Sequence, residues 1–291
     1  MSILLTGSAG FLGRNLYSYL KQKKYDIKGL DIQDSSTTDI LNNFCSPMIK
    51  HLLSTQNIDL LIHVGAIADV YHAARDPKRT YDINISGTQN LVNLCHELNI
   101  PMVYASTWEV YGEPRYQPID EKHITVPDHP YNISKLSGEL VVKNNLKPIK
   151  SCVLRLGTLY GTGMRETAVI PKFIKMAQNN EDITIFGTGE QFRQFTHVED
   201  VCKAFELAIK EESEDIYNVV SEEKISIKDL AEGLKFYFPD LNIIYKKERS
   251  GDVASSVVSS EKIKKDLGWE PQKSFSQGFR EMIDFYKTNK V

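Results

Sequence analysis

The sequence predicts an α/β protein in which a doubly wound parallel sheet is followed by a smaller C-terminal α/β lobe. The first half of the 291-residue chain alternates short apolar segments with segments of helical periodicity. This alternation is typical of right-handed β-α-β crossovers in a parallel sheet. The apolar segments run without interruption, for example over 3–5 and 60–62, which indicates a sheet covered on both faces. A glycine-rich turn directly follows the first of them, at 6–13.

Five strands are predicted in this half, and the segments between them supply the helices. The strands are Ser2–Thr6, Asp26–Leu30, Asp59–His63, Pro101–Ala105 and Ser151–Leu156. Helices are predicted from near Phe11, over about 79–98 and over 131–145.

After about Gly161 the loops lengthen and the strands shorten, as at 182–186 and 242–245. We therefore expect two parts. Residues 1–161 and about 194–220 would form a cofactor-binding domain, and about 162–193 and 221–291 would form a substrate lobe. The segment His197–Ile209 is expected to return and pack on the first part.

Composition excludes several classes of function. Apolar residues make up 41% of the chain and charged residues 25%, as in globular proteins generally. A net charge of −3 provides no basic field for nucleic acid. No apolar run approaches the roughly 20 residues needed to cross a membrane, and the N-terminus lacks a signal-peptide pattern, so a cytoplasmic location is expected. Four cysteines without paired spacing predict separate reduced thiols and no metal site.

The turn from Thr6 to Gly13 has the glycine spacing of a dinucleotide-binding (Rossmann) motif, with Gly7, Gly10 and Gly13 between a strand and a helix. Glycines there allow a tight turn, close approach of the backbone to a pyrophosphate, and close packing of helix on strand. The N-terminus of the helix adds free N–H groups for phosphate. Asp31, 18 residues after Gly13, would bind the ribose hydroxyls and repel a 2′-phosphate, which favours NAD over NADP.

A second pattern places Tyr131 and Lys135 at positions i and i+4 of a predicted helix, on one face. A phenol has a pKa of about 10 and is a poor base at neutral pH. A neighbouring ammonium group and a positive nicotinamide ring favour the phenolate. This pair can therefore remove a proton from a hydroxyl while hydride leaves the same carbon.

Together these segments resemble the extended short-chain dehydrogenase/reductase family. The resemblance also rests on Ala105-Ser106-Thr107 and Val110-Tyr111-Gly112, and it is closest to the NAD-dependent nucleotide-sugar epimerases, dehydratases and decarboxylases. It implies NAD as cofactor, a nucleotide-diphosphate sugar as substrate, and a homodimer built on a helix bundle.

The resemblance also implies roles for Thr107 and Glu109. Thr107 would complete the catalytic triad by hydrogen-bonding the sugar oxygen. Thr107-Trp108-Glu109 resembles the Thr-x-Glu of 4,6-dehydratases and uronate decarboxylases, in which Glu109 would remove the C5 proton once C4 is a ketone. Many hexose dehydratases have an aspartate where this chain has Trp108. Epimerase, dehydratase and decarboxylase therefore remain open.

Further residues are assigned to ligand binding by the same resemblance. The glycines, Asp31, Tyr131 and Lys135 are predicted to contact the cofactor. The further residues predicted to contact it are Phe11, Leu12, Ile32, Asp39, Ile40, Val64, Gly65, Ala66, Asn84 and Ser106. Predicted to contact the substrate are Thr107, Thr158, Arg193 and Arg249, with the two arginines on the diphosphate.

One departure concerns Gly157-Thr158, which stands where the family usually has an asparagine that holds the diphosphate-sugar. His63 is expected to be a packed, hydrogen-bonded residue rather than a catalyst. Two other interpretations stay open: a net dehydrogenase or reductase of another small alcohol or ketone, and a non-catalytic redox sensor.

Overall fold

Uninterrupted apolar strands build a central sheet with both faces buried. The computed structural model describes residues 1–46, 48–54, 56–247 and 255–288, apart from the side chain of Leu52. The strands are β1 Ser2–Thr6, β2 Asp26–Asp31, β3 Ile40–Leu41, β4 Leu60–His63, β5 Met102–Thr107, β6 Ser151–Leu156, β7 Thr158–Tyr160, β8 Ile183–Phe186, β9 Phe192–His197, β10 Ile216–Val219, β11 Lys224–Ser226 and β12 Ile243–Lys246.

Helices follow most of these strands. They are α1 Phe11–Gln22, α2 Ile49–Ser54, α3 Val70–Arg75, α4 Pro77–Tyr81, α5 Gly87–Leu98, α6 Pro130–Asn145, α7 Val169–Gln178, α8 Val198–Lys210, α9 Ile227–Lys235, α10 Glu261–Leu267 and α11 Phe275–Thr288. Among the residues described, no helix combines the length and apolar character that crossing a membrane requires.

The central sheet has seven strands in the order β10-β6-β5-β4-β1-β2-β3, and all neighbours are parallel. The strand order reverses between β1 and β4, which makes this the topological switch point where such sheets bind ligands. The predicted doubly wound α/β fold is confirmed.

Two apolar cores cover the faces of this sheet. On one face, Leu16 of α1 and Phe205 of α8 pack over strand residues such as Leu5 and Leu154. On the other face, helices α5 and α6 pack over residues such as Leu4 and Tyr104. Helix α8 thus lies against the central sheet and beside α1.

The C-terminal half adds two small sheets, of order β11-β9-β7 and β12-β8. A third core of helices α7, α9 and α11 packs around Phe195, Phe275 and Phe279. Strand β7 begins two residues after β6 ends, so the chain passes from the central sheet directly into this lobe. That junction lies beside the carboxyl ends of the central strands.

The helix predicted over about 79–98 is present as a continuous helical stretch from Pro77 to Leu98 that contains one π-helical turn. Asp76 caps a short helix α4, a π-helical turn covers Asp82–Ser86, and α5 then begins at Gly87. The π turn directs the side chain of Asn84 inward. There the Ile67 N–H donates to Asn84 Oδ1 (2.8 Å), and Asn84 Nδ2 donates to the Ile67 carbonyl (3.0 Å). Such turns within helices often accompany functional sites.

Candidate active site

A cavity of about 550 Å³ opens at the switch point, where the carboxyl ends of β1, β2, β4, β5 and β6 meet. Its size is within the range of small-molecule and cofactor sites. Of the residues predicted to contact cofactor, those that line it are Gly7, Gly10, Phe11, Leu12, Gly13, Asp31, Ile32, Val64, Gly65, Ala66, Ser106, Tyr131 and Lys135.

The glycine turn forms a cradle that has no room for side chains. Gly7 has a φ of +77°, and a Cβ there would lie 2.5 Å from the Cα of Gly65. A Cβ on Gly13 would lie 1.9 Å from the carbonyl oxygen of Gly7. Helix α1 begins after Gly10, which has no side chain to cap the first N–H groups. The backbone and the free N–H groups therefore fit the pyrophosphate of a dinucleotide.

Asp31 ends β2 at the rim of this cavity. Its carboxylate accepts hydrogen bonds from the backbone N–H of Ala9 (3.0 Å) and of Gln33 (3.0 Å), so the carboxylate is fixed against the glycine turn. An acid held there can accept hydrogen bonds from ribose hydroxyls and would repel a 2′-phosphate. The residues present therefore fit NAD.

We predict that Asp31→Asn raises the KM for NAD at least about tenfold and narrows the preference for NAD over NADP, because the amide loses the negative charge that repels a 2′-phosphate. Steady-state kinetics with both cofactors would measure this. Asp34→Asn, an exposed neighbour, is the matched control. An unchanged NAD/NADP ratio in Asp31→Asn would contradict the assignment.

Three side chains of the predicted triad line the floor of the cavity. Thr107 is the last residue of β5 and is 7% exposed, and its hydroxyl accepts a bond from the backbone N–H of Glu109 (3.3 Å). Tyr131 and Lys135 lie one turn apart on α6, which begins at Pro130 and is capped by His129. The structure therefore places the hydroxyl, the phenol and the amine around one space.

Burial is the largest influence on the pKa values of Tyr131 and Lys135. It lowers the pKa of Lys135 to about 7, and the charge of Glu139 opposes that change. Burial and the charge of Glu109 raise the pKa of the Tyr131 phenol well above its usual range, whereas Arg165 acts in the opposite direction. The protein groups alone therefore favour the neutral phenol, and the predicted phenolate also relies on the positive nicotinamide ring.

Glu109 is half-buried and lies in the short 3-10 helix that follows β5. Burial raises the pKa of its carboxyl, Arg193 opposes this, and Asp128 adds to it. The charge of Glu109 acts on the Tyr131 phenol, so the carboxyl lies near that phenol. A carboxyl of raised pKa beside a buried phenol is a candidate for proton transfer.

A smaller depression adjoins the main cavity and shares Gly157 with it. It contains the predicted substrate residues Thr158 and Arg193 together with Trp108 and Phe192. One Arg193 nitrogen donates to the carbonyl of Phe192 (2.8 Å). Trp108 packs against the apolar cluster around Val220 and so forms one wall of this depression.

Several predicted residues are not in these cavities. Asp39 faces the protein, where its carboxylate accepts from the Gly29 N–H (2.8 Å) and the Tyr17 hydroxyl (3.3 Å), and neither Asp39 nor Ile40 lines the cofactor cavity. Asn84 is held by Ile67 and is likewise not in the cavity lining. Their interactions hold the loops behind the cavity. Arg249 lies outside the described residues.

His63 is packed and hydrogen-bonded, as predicted. It is 1% exposed, and its ring nitrogens bond the hydroxyls of Thr6 (2.7 Å) and Thr88 (3.0 Å). Burial and the charge of Lys135 lower its pKa to about 3, so the ring is neutral.

The structure adds residues that sequence reasoning missed. Phe44 and Arg79 line the cofactor cavity from loops and helices without a recognisable pattern. Arg165 pairs with Asp69 and so fastens the 161–168 loop beside Tyr131. Glu139 follows Lys135 by four residues, and that helical spacing is the signal that would have found it.

A doubly wound sheet, a dinucleotide cradle at its switch point and a tyrosine–lysine pair on the adjoining helix define an oxidoreductase-type protein of the short-chain dehydrogenase/reductase class. The model of the NAD dependent epimerase/dehydratase family matches residues 3–220. The chain belongs to this family, and it is an NAD-dependent enzyme.

Relatives of known name span the whole chain. A putative UDP-glucose 4-epimerase of Methanocaldococcus jannaschii is 32% identical over 306 residues, with 99% of each chain covered. A dTDP-D-glucose 4,6-dehydratase of Bos taurus is 30% identical, with 99% of this chain and 89% of the relative covered.

Solved structures agree with this family. The UDP-glucose 4-epimerase of Thermotoga maritima, solved with UDP-glucose, has a TM-score of 0.93 and 26% identity over 100% of both chains. The UDP-glucuronic acid 4-epimerase of Bacillus cereus, in complex with UDP-glucuronic acid and NAD, has a TM-score of 0.88 and 27% identity over 99% of each chain.

Proposed function

We propose that this enzyme acts on a nucleotide-diphosphate sugar, which it oxidises transiently at C4 and then reduces again with the same NAD. One observation carries the proposal: Tyr131, Lys135 and Thr107 line the cavity that contains the glycine cradle, and the depression with Arg193 opens beside them. A substrate can thus place a carbinol at the cofactor and an anionic group at the arginine. The relatives named above support this substrate class, since two of them were solved with UDP-sugars.

Each triad residue has a distinct task. Tyr131 takes the proton of the sugar C4 hydroxyl, and Thr107 orients that oxygen through its own hydroxyl. Lys135, as an ammonium, favours the phenolate and holds the nicotinamide ribose. NAD, when bound, supplies hydride acceptance at C4 and the positive ring charge that the buried phenol requires.

Substrate anchoring is assigned to the neighbouring depression. The guanidinium of Arg193 can pair with the diphosphate, and the hydroxyl of Thr158 can donate to it where the family usually has an asparagine amide. Arg249 remains a sequence-based prediction for the same role.

The test is incubation with UDP-, GDP-, dTDP- and CDP-sugars, followed by mass spectrometry and measurement of NADH absorbance. We expect conversion of a nucleotide sugar without stoichiometric NADH. A product of unchanged mass identifies an epimerase, loss of water a dehydratase, and loss of carbon dioxide a decarboxylase. Accumulation of one NADH per product would instead establish a net dehydrogenase and overturn the recycling mechanism.

A second candidate, chemistry beyond epimerisation, is favoured by Glu109. It lies two residues after Thr107 in the short 3-10 helix, and its charge acts on Tyr131, so we assign it the removal of the C5 proton of a 4-keto sugar. Under this candidate, Glu109→Gln should lower water loss by about 10²- to 10⁴-fold while C4 oxidation continues. Deuterium incorporation at C5 from heavy water would report the proton step.

Glu113→Gln, in the same loop but exposed, is the matched control for this prediction. If Glu109→Gln changes turnover and deuterium incorporation less than about threefold, Glu109 does not act at C5 and simple epimerisation is favoured.

A homodimer and a cytoplasmic location are also proposed. Helix α6 exposes Ile133 (37%) and Leu140 (55%), which are seven residues apart and so lie on one face suited to pairing with a second copy. Light scattering would measure the oligomeric state, and cell fractionation the location. A monomer at micromolar concentration would contradict the first proposal, and recovery in the membrane fraction the second.

A further inference from the structure

Helix α6 contains a buried carboxylate directly behind the proposed catalytic pair. Glu139 is 2% exposed and follows Lys135 by four residues, so the two side chains lie on the same face of the helix. Placing a charge inside a protein costs several kcal/mol unless partners satisfy it. A carboxylate at this position therefore requires a structural or functional reason.

Two partners from neighbouring strands hold Glu139. Arg155 of β6 donates from Nε to Oε1 (3.0 Å) and from a terminal nitrogen to Oε2 (2.7 Å), and it is only 4% exposed. Ser106 of β5 donates its hydroxyl to Oε1. Because Ser106 precedes Thr107, this carboxylate ties α6 to the strand end that carries the third triad residue.

The same network extends away from the cavity. The Arg155 guanidinium lies over the ring of Tyr111, 4.7 Å from its centroid. The Tyr111 hydroxyl donates to Asn218 of β10 (2.8 Å). Arg155 is thus fixed on its far side, and its charge is committed to Glu139 and Tyr111.

Lys135 faces few other charged or titratable groups. From β5, the Tyr104 ring centroid lies 4.2 Å from its Nζ, and Gly138 leaves the space that the Tyr104 phenol occupies. From β4 it faces His63, which is neutral, and on α6 itself it faces Tyr131. Glu139 is the one described carboxylate whose charge acts on the Lys135 pKa, and it acts against the effect of burial.

We propose that Glu139 is a positioning residue of the reaction: its buried carboxylate keeps Lys135 charged as an ammonium and, through Ser106, holds α6 in register with the Thr107 end of β5. This inference rests on the proposed function, in which the Lys135 ammonium assists Tyr131. The effect assigned to Glu139 is that its negative charge stabilises the Lys135 ammonium, which the positive charge of Arg155 cannot do.

The experiment uses NAD-bound enzyme and compares the wild type with Glu139→Gln. Carbon NMR of lysines labelled at Cε, assigned by the resonance missing from Lys135→Arg, gives the titration of Lys135 directly. We expect it to move to lower pH by about one pH unit in Glu139→Gln, because an attractive charge has been removed. The alkaline limb of kcat should move in the same direction, so activity should fall about tenfold at pH 8 and about twofold at pH 6.

A second variant keeps the test informative if Glu139→Gln does not fold. Glu139→Gln leaves Arg155 buried without its carboxylate, which can destabilise the fold strongly. The double variant E139Q/R155M also removes the unpaired guanidinium and should fold, and Lys135 should still titrate at lower pH. Glu206→Gln is the matched control, since Glu206 is equally buried (1% exposed) and bonded by Lys210, but lies on α8.

The outcomes separate this inference from the proposed function. An unchanged Lys135 titration in both Glu139 variants overturns the inference, as does an activity loss that is equal at all pH values or is reproduced by Glu206→Gln. If no nucleotide sugar is converted by the wild type, the proposed function fails. A shifted Lys135 titration would then still support the effect of Glu139 on Lys135.

Discussion

Replacing Tyr131 by phenylalanine is expected to lower kcat by about 10²- to 10⁴-fold, the usual contribution of a general acid–base residue. The phenol lines the cavity next to Lys135 and Thr107, and its oxygen bonds no residue in the described part of the chain. Removing it should therefore take away the proton acceptor without removing a structural bond. Steady-state kinetics on the converted nucleotide sugar would measure the loss, and calorimetry would measure NAD binding.

NAD affinity and the melting temperature should stay close to those of the wild type, so that the effect is confined to chemistry. Tyr71→Phe is the matched control because the Tyr71 side chain is 80% exposed on α3, away from the cavity lining. A Tyr131→Phe enzyme with more than about a third of wild-type kcat would refute the mechanism while leaving the fold intact.

Replacing Gly13 by alanine is expected to have the largest effect on both stability and cofactor binding. The added Cβ would lie 1.9 Å from the Gly7 carbonyl oxygen and 2.9 Å from the Cα of Ser8, which are backbone atoms that cannot move independently. Overpacking of this kind costs about 3 kcal/mol or more. For a chain of this size, that corresponds to a fall in melting temperature of roughly 5–10 °C.

Differential scanning fluorimetry with and without NAD would measure both consequences. We expect the stabilisation by NAD to be lost in Gly13→Ala, because displacement of α1 from β1 distorts the cradle. Gly10→Ala separates the two effects: its Cβ would lie 3.3 Å from the Gly7 oxygen, and its φ of −68° is open to alanine. That variant should melt within about 2 °C of the wild type without NAD. A Gly13→Ala protein that melts like Gly10→Ala would show that the helix does not need this close contact.

The sequence predicted the sheet and its cofactor edge because those features depend on local patterns. Apolar strands, a glycine turn between strand and helix, and an acid at the end of the second strand all lie within short stretches of chain. The helical stretch predicted over about 79–98 is present, but its pattern did not reveal the π turn at Asp82–Ser86, where Asn84 bonds Ile67. Asp39 and Ile40 fitted a family pattern, yet the structure places neither in the cavity lining.

What the sequence by itself determined is the class of chemistry: a dinucleotide cradle at 6–13, an acid at Asp31, and a tyrosine and a lysine one helical turn apart. Each of these follows from neighbouring residues or from the fixed spacing of a helix. Only the tertiary structure decided which other groups act on that chemistry. Glu139 meets Arg155, and Arg165 meets Asp69 from 96 residues away, because the strand order and the loop after β7 bring those segments together. The degree of burial, which sets the proton affinities of Tyr131 and Lys135, likewise exists only once the sheet, its helices and the C-terminal lobe have closed around them.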